Sequence, residues 1–134
     1  MARYERLIVT KKFLDENPNA IFVFGDNIRR TGYGGGAMFR DHPQAYGFIT
    51  KKNPDNRDES FYRPESYAID FLAHMIELQL FIEKNTDKTF YISQLGGGLA
   101  NRYKIWEKVI KPGLIKYFSH HDNVVFLWDK EIDK

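Results

Sequence analysis

The chain has no cysteine. That removes a disulfide framework, a thiolate zinc site and a cysteine nucleophile together, and it agrees with a reducing compartment. No apolar run approaches the ~18 residues of a membrane span. The stretch from Met1 to Thr10 has no apolar core long enough for a signal peptide, so the expectation is a cytoplasmic protein without a membrane partner. Charge of one sign is missing too: 20 lysines and arginines against 18 aspartates and glutamates give a formal net charge of +2. A nucleic-acid binder usually carries a clearly basic face, so the balance argues against that partner. His42, His74, His120 and His121 share no metal-ligand spacing with a carboxylate. Ser66 and Ser93 lack the surroundings of a catalytic triad. Neither a metal nor a cofactor is expected.

What is present is glycine, gathered at two places. Ile21-Phe-Val-Phe24 is a continuous apolar run, as in a strand covered on both faces. It breaks at Gly25-Asp26-Asn27, and Gly34, Gly35 and Gly36 then lead toward a short helix over Gly36 to Asp41. Thr89 to Ser93 followed by Gln94, Gly96, Gly97, Gly98, Asn101 and Arg102 repeats the plan. Without a Cβ, glycine lets backbone N–H groups approach a ligand closely. Two such loops at the carboxyl ends of strands in one open α/β sheet face the same crevice, and a ligand with two phosphates suits two cradles.

The remaining elements follow from pattern. Leu7–Val9 is a short β-branched run, and Thr10 is a plausible N-cap for a helix over Lys11 to Asn17. Pro18 forces the exit. Gly47–Thr50 reads as a strand, and Lys51–Arg63 as a long polar loop of the kind that forms lids or binding loops. The longest helix starts at Pro64, with Phe71, Leu72, Met75, Ile76, Leu78, Leu80 and Ile82 as its packing face. A helix over Tyr103 to Phe118 is expected to kink at Pro112-Gly113, and Val124–Trp128 closes the sheet. Strands alternating with helices over 134 residues define one domain spanning 1–134, a three-layer αβα sandwich with a mainly parallel mixed sheet.

At the two loops the sequence resembles the macro-domain superfamily, in particular its divergent small macro-like proteins of bacteria and phages. Phe24-Gly25-Asp26-Asn27 with Gly34-Gly35-Gly36 resembles the first loop of that family, and Leu95-Gly96-Gly97-Gly98-Leu99-Ala100 resembles the second. The resemblance implies a cleft for ADP-ribose or a related nucleotide. It implies Asn27 and Gly34–Gly36 beside the distal ribose, and Gly96–Gly98 around the diphosphate. In hydrolytic relatives the glycine run is followed by an aliphatic residue and a catalytic Asp. Here Ala37 and Met38 stand there, and Met can neither orient a water nor take a proton.

Ligand binding is therefore expected at Gly25, Asp26, Asn27, Gly34, Gly35, Gly36, Gln94, Gly96, Gly97, Gly98, Asn101 and Arg102. Asp26 as a base and Lys51 as a nucleophile are the candidates for hydrolysis of an ADP-ribosyl or phosphoester bond. Sequestration of a nucleotide signal, as an antitoxin would perform it, is a further reading. Arg29, Arg30 and Lys52 are possible anion contacts, Tyr33 and Tyr103 possible stacking groups, and Asp58-Glu59 an acidic loop tip. Oligomeric state is left open.

Overall fold

A computed structural model describes residues 1–130. β1 (Arg3–Tyr4), β2 (Ala20–Asn27), β3 (Ala45–Lys51), β4 (Thr89–Ile92) and β5 (Val124–Phe126) form a five-stranded sheet in the order β1-β5-β4-β2-β3. Every neighbouring pair is parallel. The expectation of a mixed sheet is corrected: among the described residues all five strands run the same way. Helical segments join consecutive strands, carrying the chain back to the same edge, as parallel pairing demands.

β2 shows why the run around Ile21 has no polar alternation. Ile21 and Val23 enter the core under α2 (Pro64–Lys84) and α3 (Lys111–Phe118), whereas Ala20, Phe22 and Phe24 enter the core under α1 (Lys11–Glu16). Each face is covered, which makes the three layers. Full burial of a side chain of this kind contributes about 1.5–3 kcal/mol. α1 begins where expected, with the Thr10 hydroxyl accepting the Phe13 amide at 3.0 Å.

The structure adds local detail that the sequence pattern does not give. Leu7–Val9 forms no strand; the edge strand is the two-residue β1. The short helix after the first glycine run is of the 3-10 kind and covers Gly35–Phe39, stopping before Asp41. Before α3 lies a π-helical turn, Trp106–Ile110. Pro112 offers no N–H, and its ring would press on the carbonyl four residues back, so the ladder widens ahead of the proline. Gly113 has a separate role: a Cβ there would sit 2.4 Å from the Phe71 ring, so glycine lets α3 approach α2.

α2 packs through Tyr67, Phe71, Met75, Leu78 and Ile82. Leu72, Ile76 and Leu80, expected on that face, are 44%, 52% and 51% exposed. Seven apolar positions span more of the helix circumference than one sheet contact covers, and the remainder form a second, outward stripe.

Candidate functional site

Topology decides where a ligand can enter. From β2 the chain moves to β3 on one side, then returns across to β4 on the other. The carboxyl ends of β2 and β4 therefore flank the point where the winding reverses, the usual crevice of an open α/β sheet. A cleft of about 360 Å³ lies there, lined by Gly25, Asp26, Asn27 and Gly34–Gly36 from the first loop and by Gln94, Gly96 and Gly98 from the second. The loops touch: a Cβ on Gly25 would lie 3.4 Å from the Gly96 amide nitrogen. The volume falls within the range of small-molecule sites, about 300–1,000 Å³.

The first loop is built around a buried carboxylate. Asp26 is 4% exposed. Its Oδ1 accepts the Asn27 amide at 2.8 Å and lies 2.8 Å from an Arg40 guanidinium nitrogen as an ion pair. Its Oδ2 accepts Arg40 at 2.8 Å and Arg30 at 3.1 Å. Arg40 also donates to the Gly32 and Thr31 carbonyls at 2.9 Å each, so one guanidinium ties the strand end to the loop crest. Arg30 donates to the Gly47 carbonyl at 2.7 Å. Three hydrogen bonds and one further ion-pair contact thus hold the carboxylate in place. The residue expected as a base has a structural role here, as a clamp that shapes the loop.

One residue later the β2–β3 register slips, Asp26 facing Ile49 and Asn27 facing Lys51. The extra residue, Thr50, lines the cleft; bulges re-aim side chains in this way. Asn27 is 7% exposed and its Nδ2 donates to the Thr31 carbonyl at 2.8 Å. Its Oδ1 is buried without a hydrogen-bond partner, although native structures pair nearly all such atoms.

In the second loop only some of the expected residues face the cleft. The Gly97 amide donates to the Gln94 carbonyl at 2.9 Å, and a Cβ on Gly97 would meet the Gln94 carbonyl oxygen at 3.1 Å. Gly97 is therefore absent from the lining and serves the turn. Asn101 is a cap: its Oδ1 accepts the Trp106 amide at 3.0 Å and its Nδ2 donates to Glu107 at 2.8 Å. Gly96 has φ +74°, and a Cβ there would lie 2.9 Å from Ile110 Cδ1. Both strain and contact require glycine. Gly34, Gly35 and Gly98 have open space where a Cβ would go. Among the described residues, the amides of Gly34, Gly35, Gly96 and Gly98 make no backbone hydrogen bond.

The Lys51–Arg63 segment is an ordered strap along the cleft. Lys51 and Phe61 form an antiparallel bridge, and Asp58–Ser60 is a 3-10 turn. Pro54 and Lys51 line the cleft. The Lys51 amine donates to the Asp55 carbonyl at 2.8 Å and lies 4.5 Å from the centre of the Phe61 ring; burial lowers its pKa. Arg102, expected to reach the ligand, instead stacks on Phe61 at 3.9 Å and pairs with Asp58 at 3.4 Å. It lies outside the lining.

Sequence reasoning missed Arg40, Thr50, Thr31 and Ser93, all of which line the cleft. Arg40 carried a usable signal, an arginine on the helical turn leaving the glycine run. Thr50 carried none, because the bulge exists only once β2 and β3 are in register.

Fold and site together define an α/β protein with a glycine-walled cleft at the switch point of a parallel sheet. The chain belongs to a family of unknown function (DUF7831), whose model matches residues 4–101, a span that holds both glycine loops and the strap. Among curated proteins and among solved structures, none matches the chain.

Proposed function

We propose that the cleft binds ADP-ribose or a closely related adenine nucleotide, in the manner of a macro-like domain. One observation carries the reading: two loops about 60 residues apart in sequence, each supplying glycine amides without backbone partners, line a single cleft. Amides presented without intervening side chains suit the oxygens of a diphosphate. The Asn27 Oδ1 is buried without a partner, and a small turn of that side chain toward the cleft would let it accept from a ribose hydroxyl. Among the described residues no exposed carboxylate lines the cleft, and the buried Asp26 is paired with two guanidiniums.

Binding is favoured over turnover because the Asp26 carboxylate is engaged by Arg30 and Arg40 and the Lys51 amine donates to a backbone carbonyl. A nucleotide-sequestering role follows from the same features.

The test is a thermal shift with ADP-ribose on wild type and on Gly98→Glu. A Cβ at Gly98 meets nothing within 4 Å, so the variant folds while its carboxylate blocks the cleft. At ligand 100-fold over Kd, wild type gains about 2.7 kcal/mol, and the variant gains nothing. Equal shifts in both, or none in wild type, would reject the reading.

A further inference from the structure

Two cations share the Phe61 ring at the edge of the cleft, Lys51 at 4.5 Å and Arg102 at 3.9 Å. Like charges this close repel, and Arg102 contributes to lowering the Lys51 pKa, after burial. Arg63 lies over Tyr103 at 4.0 Å and donates to its hydroxyl at 3.2 Å. The group converges on one anion: Asp58 accepts from the Tyr103 hydroxyl, pairs with Arg102 at 3.4 Å and pairs with Arg63 at 3.5 Å. The neighbouring carboxylates, Asp55 and Glu59, are taken by Arg57. Four cations thus stand against three carboxylates, and the excess charge sits beside the cleft.

We infer that Lys51, Arg63, Arg102 and Tyr103 form a phosphate subsite on the strap side of the cleft, held in the free protein by the chain's own Asp58 carboxylate. Guanidinium forks and a phenol hydroxyl are the donors a phosphate uses. Asp58 belongs to the strap, whereas Arg102 and Tyr103 follow the second glycine loop. An incoming phosphate therefore competes with the contact that holds strap to loop. The ligand class is a nucleotide whose diphosphate spans both places, one phosphate on the glycine amides and the other on the side of Phe61. This rests on the nucleotide reading of the cleft and adds a specificity element to it.

The experiment titrates ADP-ribose into wild type, Asp58→Asn, Arg102→Gln and the double variant by calorimetry. Inorganic pyrophosphate is titrated separately into wild type while the Arg102 Nε–H resonance is followed by NMR. Asp58→Asn keeps an acceptor for Tyr103 and removes the competing charge. It is expected to tighten ADP-ribose binding about 5- to 10-fold, within the worth of one charge-assisted hydrogen bond. Arg102→Gln weakens binding and cancels that gain in the double variant, and pyrophosphate shifts the Arg102 resonance. If ADP-ribose binds wild type and neither single variant changes its affinity, the subsite is overturned while the cleft reading stands. If ADP-ribose fails to bind but pyrophosphate still moves the Arg102 resonance, the subsite stands and the nucleotide reading falls. An Arg102 resonance unmoved by pyrophosphate overturns the subsite by itself.

Discussion

Gly47 is the position where one added carbon tests how the first loop is built. It lies in β3, outside the cleft lining, and its φ is not in the left-handed region, so alanine adds no backbone strain there. The added Cβ would sit 2.4 Å from Asp26 Oδ2, 2.7 Å from an Arg30 guanidinium nitrogen and 3.1 Å from Asp26 Cβ. Something must yield, and the two candidates differ in cost. Arg30 is half exposed, its side chain at 51%, and swinging it into water forfeits about 1 kcal/mol, the worth of a surface ion pair. The Asp26 side chain is 1% exposed. Displacing it breaks the two-pronged Arg40 pair and leaves a buried carboxylate poorly matched, at about 3–5 kcal/mol. Since the Asp26 oxygen is the nearer atom and its Cβ is also crowded, the loss falls between these limits, about 2–4 kcal/mol. For a domain of this size each kcal/mol lowers Tm by roughly 3–5 °C. Urea unfolding followed by circular dichroism measures the loss directly, with Arg30→Ala as the control for the cheaper route. A Gly47→Ala protein as stable as wild type, or no worse than Arg30→Ala, would refute the Asp26 clamp.

Replacing Asp26 by Asn leaves Arg40 and Arg30 facing a neutral group. The expected loss is about 3–5 kcal/mol, read as a lower urea midpoint, and the same variant loosens the first loop in hydrogen exchange. The strap answers to pH through Asp55, whose carboxyl is held down to about 2 by the Ser60 hydroxyl first and by Arg57 next. A depressed folded pKa contributes stability that is present above the usual carboxylate value and lost as pH falls toward 2. Hydrogen exchange of residues 53–61 is therefore faster in Asp55→Asn than in wild type at neutral pH. The two approach each other as pH falls from about 5 through 2, and a difference as large at pH 2 as at neutral pH would contradict the assignment.

Much of this was legible in the chain because the signals were local. An uninterrupted apolar run ending in glycine fixes Ile21–Phe24 as a strand buried on both faces, and Thr10 and Pro64 mark helix starts by their own chemistry. The repeated strand-to-glycine plan was enough to anticipate one cleft. What stayed hidden depends on partners distant in sequence. The clamp at Asp26 exists only once Arg40, fourteen residues on, and Arg30 close over it. Gly97, Asn101 and Arg102 share a loop with Gly98. Which of them faces the cleft is set by contacts to Gln94, Trp106 and Phe61, and no periodicity encodes these. The outward stripe of α2 shows the same limit, because helical spacing reveals an apolar surface without showing which part the sheet covers.

The central claim is that both glycine loops hold one ligand. Backbone amide NMR during an ADP-ribose titration tests it most directly, through Gly35 in the first loop and Gly98 in the second. Both resonances are predicted to move along a single saturable curve, and both are predicted to stay still in Gly98→Glu or its Gly34→Glu counterpart. Movement confined to one loop, or saturation at two different ligand concentrations, would contradict a shared site.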